Sequence, residues 1–314
     1  MDHFLFSLNV TVPIFLIILF GGALKRIGLL TDGFTMTADK FVFKVALPVQ
    51  LFQDIATMDI RSDFSWRFVL FCMAATTFMF ALCWALGWVF LRDRTMVGAF
   101  AQGAARGSAA ILGIAFVENI YGSSGMTPMM IVAAVPLFNI FSVIILTVSS
   151  VHRKLNRKVL QQTIQGIITN PIILGIAAGI LWSLMRFPWP IIMGRSIGYI
   201  ASTSTPLALL VLGATFNGLE ALKKIKPTIA ASFLKLIGIP ALIFPLAITL
   251  GFRGSELVAI MIMLASPTTV TCFIMAKNMG GDETLSASIV MTATLLSSVT
   301  LTFWIFLMRS LGYI

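Results

Sequence analysis

Acidic side chains are scarce in this chain, and their scarcity removes several chemistries at the outset. Asp and Glu number 12 in 314 residues, against 22 Lys and Arg. Of the twelve, only Asp54 is placed in the body of a stretch apolar enough to cross a membrane, near its outer end. Proton relays and Na⁺ sites commonly use embedded carboxylates, so acid-based ion coupling has no support, although backbone carbonyls and hydroxyls remain open to Na⁺. Histidine is nearly absent: His3 and His152 fall in a tail and a loop and offer neither a relay nor a metal site. The three cysteines, Cys72, Cys83 and Cys272, all sit in apolar runs, which argues for core packing rather than a disulfide framework or zinc. The serines and threonines near residue 266 have no base at a spacing that would activate them, so an enzyme is not expected, and neither is a cofactor.

Charge of either sign is low, at 11% of residues, and mean hydropathy is +0.98. No water-soluble domain of this size tolerates that surface, so the chain belongs in lipid. The net charge of +10 is spread in short clusters rather than along one stripe, which excludes nucleic acid as the natural partner. No short apolar core with a small-residue cleavage site opens the chain, so the first apolar run is expected to stay as a span.

A spanning helix needs about 20 apolar residues, and ten such segments are predicted: 4–24, 41–58, 66–91, 97–117, 128–150, 162–184, 195–216, 228–250, 256–277 and 285–308. One set of connections carries thirteen basic residues: Lys25, Arg26, Lys40, Arg92, Arg94, Arg153, Lys154, Arg157, Lys158, Lys223, Lys224, Lys226 and Lys277. The other carries six: Arg61, Arg67, Arg186, Arg195, Arg253 and Arg309. The positive-inside rule makes the first set cytoplasmic, with both termini on the outer face of a multi-pass cell (inner) membrane protein. Trp182, Trp189 and Trp304 fall near predicted interfaces, where belt anchoring is expected.

Internal repetition is visible. Pro13 and Pro171 open the first and sixth spans 158 residues apart, and Pro48 and Pro206 lie in the second and seventh at the same offset. Asn119 and Gly122 match Asn278 and Gly281 at 159. Five spans per repeat is an odd number, so the halves, 1–150 and 162–314 joined by a cytoplasmic loop at 151–161, would insert in opposite orientations. The predicted fold is thus an all-α polytopic membrane protein of two five-helix inverted repeats.

Carriers of this plan hold substrate near the midplane, where helices break. The fourth span contains Arg106-Gly107-Ser108 and the ninth Ser266-Pro267-Thr268-Thr269, at matching places on the 159 offset. Glycine permits a break, and proline removes a donor. Two facing half-helix N-termini would present free N–H groups to an anion. Arg106 within a span costs about 2.5–3.5 kcal/mol on insertion scales unless paired or hydrated. It is expected either to bind substrate or to bond free carbonyls at the break in a purely structural role. Lys235 is placed to snorkel or to pair structurally, and Lys44 to snorkel. Asn139 is a further candidate for the cavity wall, while Pro48, Asp54, Pro206 and Lys235 are candidates for structural or gating roles.

The stretch ILGIAFVENIYG (111–122), with LASPTTVTCFIMAKNMGGD (264–282), resembles the bacterial branch of the auxin efflux carrier family. Supporting pieces are VALPVQLF (45–52), TNPIILG (169–175), TPLALLVLG (205–213) and KLIGIP (235–240). The resemblance covers nearly the whole chain. It implies a ten-helix fold shared with bile-acid and sodium symporters, whose fourth and ninth helices break and cross at the substrate site. It also implies a scaffold of the first, second, sixth and seventh helices, through which members often dimerise, and a moving transport domain made of the rest. The substrates it implies are auxin, malonate, malate and other carboxylates. The crossover would be Gly107-Ser108 and Pro267, beside Arg106, Thr268 and Thr269. Many relatives carry Asn at the fourth-helix crossover; here Ser108 offers one donor where Asn offers two.

The expected function is a secondary transporter of a small organic anion, a carboxylate, working by alternating access. Two alternatives stay open: a Na⁺-coupled symporter of the same fold, and a membrane sensor that binds its ligand without moving it.

Overall fold

A computed structural model describes residues 13, 16–57, 65–109, 117, 120, 121, 125–150, 165, 168–185, 188–216 and 218–314. Among these every regular element is helical, and none is a strand. In chain order they are α1 (16–26), α2 (Asp32–Phe41), α3 (Leu47–Ala56), α4 (Trp66–Phe90), α5 (Thr95–Ala105), α6 (Thr127–Ser150), α7 (Pro171–Met185) and α8 (Ile191–Ser202). There follow α9 (Ser204–Thr215), α10 (Gly218–Lys223), α11 (Ile225–Phe233), α12 (Ile239–Thr249), α13 (Gly254–Ala265), α14 (Thr271–Asn278) and α15 (Glu283–Ser310). Among the described residues five stretches are long and apolar enough to cross a membrane: Trp66–Phe90, Met129–Ser149, Ile191–Thr215, Ile225–Thr249 and Glu283–Ser310. The predicted first span lies only partly within the described residues, and so does the latter part of the predicted fourth; the connection at 151–161 lies outside them.

Each long helix is apolar on both faces, as a lipid-immersed element must be. On α15 the outer stripe of Leu295, Leu296, Val299, Phe303 and Phe306 is exposed, while Ser286, Thr294, Ser297 and Ser298 turn inward. Small polar residues belong at helix interfaces in lipid, because they allow close approach and bond their own preceding turn. Ser297 and Thr294 do so, donating to the carbonyls of Thr294 and Val290 at 2.8 and 2.7 Å. Asp282 starts α15 by accepting from the Leu285 amide at 2.9 Å.

Two prolines shape the helices they enter. Pro48 and Pro240 each follow a π-helical turn, at Val42–Ala46 and Leu234–Gly238. Proline has no N–H for the carbonyl four residues earlier and its ring crowds that carbonyl, so the turn widens. For Pro240 that carbonyl belongs to Leu236, and it accepts instead from the Trp304 indole N–H at 2.8 Å. Trp304 is accordingly buried, its ring edge-on to Phe244 at 4.8 Å. The expectation of an interfacial anchor at Trp304 is therefore corrected, because the indole satisfies a carbonyl that proline freed.

The helices pack in two groups. In one, α3 lies along α7 and α8, and α9 against α2. Glycines let the backbones touch: a side chain on Gly21 would meet the Leu210 carbonyl at 2.4 Å, and one on Gly179 the Phe52 carbonyl at 2.9 Å. Gly21 and Gly179 stand 158 residues apart, and so do Phe52 and Leu210, so one glycine contact recurs at the offset that relates the prolines. In the other group α4, α6, α11, α14 and α15 surround α5, whose residues Val97–Ala105 are all buried. Gly98 lies against Leu146 and Gly103 against Ile289. The second enclosed helix, α13, is buried throughout Leu257–Ala265.

Candidate functional site

α5 and α13 stop abruptly in the interior, and the site is built where they stop. Arg106 leaves the helix in an extended conformation, and Gly107 follows where a side chain would displace its neighbours: a Cβ there would press on Ser266 Oγ and sit 2.8 Å from Lys235 Nζ. α13 ends because Pro267 disfavours helix at the residue before it, and Ser266 adopts φ −64° and ψ 151°. The two breaks are tied together. The Ser108 amide donates to the Pro267 carbonyl at 2.9 Å, Thr268 Oγ1 to the Gly103 carbonyl at 2.7 Å, and Gln102 Nε2 to the Cys272 carbonyl at 2.8 Å.

Arg106 is buried and donates from its two terminal nitrogens to Asn139 Oδ1 at 2.7 Å and Met275 Sδ at 2.9 Å. Asn139 is fixed in turn by donating to the Val135 carbonyl at 2.9 Å. A thioether is a weak acceptor and an amide is neutral. No carboxylate among the described residues pairs with the guanidinium, whose described partners are both neutral. The carbonyl-bonding role that the sequence offered to Arg106 falls instead to Lys235. That residue is fully buried, so snorkelling is corrected: its ammonium bonds the Ala105 and Met263 carbonyls at 3.1 and 3.4 Å.

A crevice of about 510 Å³, counting its open mouth, runs along the seam between the two helix groups. One wall is the face of α3 made by Leu47, Gln50, Leu51 and Asp54, the i, i+3, i+4, i+7 set that shares one side of a helix. Thr205 from α9 belongs to the same helix group, and the other group contributes Arg106, Gly107, Ser108, Thr269 and Thr271, with Val135 and Phe138 from α6.

Of the residues chosen from sequence, Arg106, Gly107, Ser108, Thr269 and Asp54 come together on this crevice. Asn139, Ser266 and Thr268 stand behind its wall. Asn139 is completely buried and spends its amide on Arg106 and Val135, which corrects its expected place on the cavity surface. Thr268 commits its hydroxyl to Gly103, and Pro267 accepts from Ser108. Pro48 is buried at the α3–α7 contact, where its carbonyl would meet a side chain on Gly175 at 2.5 Å. Pro206 lies exposed in the first turn of α9, where a missing donor costs nothing. Sequence reasoning missed Gln50, Thr205 and Thr271. The signal for Gln50 was available, since an amide in an otherwise apolar span needs a polar surface to face.

Comparison with known proteins agrees with this architecture. The chain is 27% identical over 277 residues to the "Putative malonate transporter" of Rhizobium meliloti (strain 1021), an alignment covering 86% of each protein. It is 22% identical over 306 residues to an "Uncharacterized transporter" of Methanothermobacter thermautotrophicus, covering 96% of this chain and 98% of that one. The membrane transport protein family matches residues 6–305. The chain is therefore a multi-pass transporter rather than an enzyme, and it belongs to the membrane transport protein family, that of the auxin efflux carriers.

Proposed function

We propose that this protein is a secondary transporter that carries a small organic anion, a carboxylate, by alternating access. The observation that carries the reading is the guanidinium of Arg106 on the wall of a half-open crevice, held by neutral partners and paired with no carboxylate among the described residues. A charge held in a membrane interior is costly, and such groups mark substrate paths by default. A carboxylate entering the crevice would gain that charge together with the hydroxyls of Ser108, Thr269 and Thr271. The start of α14 at the same wall adds the positive end of a helix dipole. The name of the Rhizobium relative speaks for a dicarboxylate of malonate size.

The same reading takes the chain as ten spans in two inverted five-helix repeats, with the breaks after Ala105 and Ala265 crossing at the centre. The paired glycine contacts of Gly21 and Gly179 support it. The group containing α3, α7, α8 and α9 then serves as scaffold, and the group around α5 and α13 slides against it to expose the crevice to each side in turn. The side reached from Asp54 is the outer one, where both termini also lie.

The test is flux of radiolabelled malonate, malate and indole-acetate into proteoliposomes, comparing wild type with Arg106→Ala. Flux that requires Arg106 supports the carrier. Retained ligand binding without flux would turn the reading to a sensor, and flux that requires Na⁺ to a symporter.

A further inference from the structure

Lys235 carries a second buried positive charge, and the anion site does not use it. Its side chain is fully buried, is absent from the crevice wall, and pairs with no carboxylate among the described residues. Its ammonium donates instead to the Ala105 carbonyl at 3.1 Å and the Met263 carbonyl at 3.4 Å. Ala105 is the last residue of α5, and Met263 lies in the last turn of α13. One cation thus joins the C-terminal ends of both interrupted helices. Each such end carries about half a negative charge, so the two together nearly balance a single ammonium. A further oxygen stands at the same corner. Ser266 Oγ is buried without a hydrogen-bond partner among the described residues, and with Lys235 Nζ it crowds the position a Cβ on Gly107 would take.

Carbonyls at half-helix C-termini, with a hydroxyl beside them, are the donor set by which broken-helix carriers hold alkali cations. Here a side chain already fills the place. The wide turn at Leu234–Gly238, forced by Pro240, is the segment that delivers it.

We propose that the Lys235 ammonium is a tethered cation occupying the site that a free alkali cation would otherwise have to fill between α5 and α13, so that this protein holds its crossover together without Na⁺. The flux arm of the test rests on the anion-carrier reading; the binding arm does not.

Thermal unfolding of the purified full chain in detergent, recorded in sodium, potassium and choline chloride, reads the cation site directly. Wild type is expected to unfold at one temperature in all three salts. Lys235→Ala opens the corner; it is expected to be destabilised in choline and to regain several degrees, saturably, in Na⁺ or K⁺, because binding to the folded state stabilises it. Lys235→Met fills the corner without charge and is expected to be destabilised equally in all three salts. The proposal is overturned if wild type responds to Na⁺, if Lys235→Met unfolds like wild type, if Lys235→Ala is indifferent to the cation, or if Lys235→Ala yields no folded protein in any salt. In proteoliposomes, wild-type flux is expected to ignore a Na⁺ gradient, while Lys235→Ala loses about tenfold or more in choline and recovers in part with Na⁺. A wild type without flux for any anion would sink the carrier reading and leave the unfolding result to decide the cation site.

Discussion

The amide of Ser108 donates to the carbonyl of Pro267 at 2.9 Å, and the two residues stand 159 positions apart, the offset at which Asn119 and Gly122 recur as Asn278 and Gly281. On the repeat proposed above, this bond joins equivalent points of the two halves. Beside this contact a Cβ on Gly107 would press on the side-chain ends of Ser266 and Lys235.

Gly107→Ala is therefore expected to destabilise the protein by about 1–3 kcal/mol, the usual penalty for overpacking. Thermal unfolding in detergent checks it. The double variant Gly107→Ala with Ser266→Gly removes the nearer clash and should recover part of the loss, a non-additivity that contacting residues show. Strictly additive losses would place the strain elsewhere.

Arg106→Met should abolish anion flux while lowering stability by no more than about 1–3 kcal/mol, the cost of leaving the buried Asn139 Oδ1 unpaired, because no carboxylate among the described residues is left without a partner. Unfolding curves and flux measured on the same preparation decide this. A large loss of stability would mean that the arginine is a structural brace.

Asn139→Leu removes the amide oxygen that accepts from Arg106. It should weaken stability by about 1–3 kcal/mol, the cost of leaving a buried donor unmade, and weaken anion binding through misorientation of Arg106. Titration of malonate by isothermal calorimetry would show the affinity change; unaltered affinity would argue that Arg106 needs no such support.

Asn278, at the end of α14, donates to Asp39 Oδ2 on α2 at 3.1 Å, which bridges the two helix groups at the end of the seam away from Asp54. Asn278→Ala should shift the balance toward opening at that end by about 1 kcal/mol, near fivefold. Distance distributions between spin labels on α2 and α14 would report it. No shift would mean that this bond does not hold the end closed.

Two glycines of the group containing α3, α7 and α9 give a paired expectation. Gly21→Val and Gly179→Val each drive a side chain into a facing carbonyl, and both should lower the unfolding temperature, Gly21→Val more because its approach is closer. Tolerance of either one would count against a close backbone contact at that place.

The sequence by itself determined that this chain lives in lipid, because so few charges cannot clothe a soluble surface. It also marked where the central helices stop, since Gly107 and Pro267 act on their own backbone and need no neighbour to do so. That Arg106, Ser108 and Thr269 would lie near one another followed from the same local breaks. Tertiary structure alone decided which oxygens those groups meet. Nothing in the residues around Lys235 says that a chain segment from another span will bring two carbonyl ends within reach, so snorkelling was the natural expectation. Trp304 looked interfacial until Pro240, on a different helix, left a carbonyl for its indole to cap. Asn139 passed from the cavity surface to the support behind Arg106, because the direction of a polar side chain is set by the partner it finds across the packing.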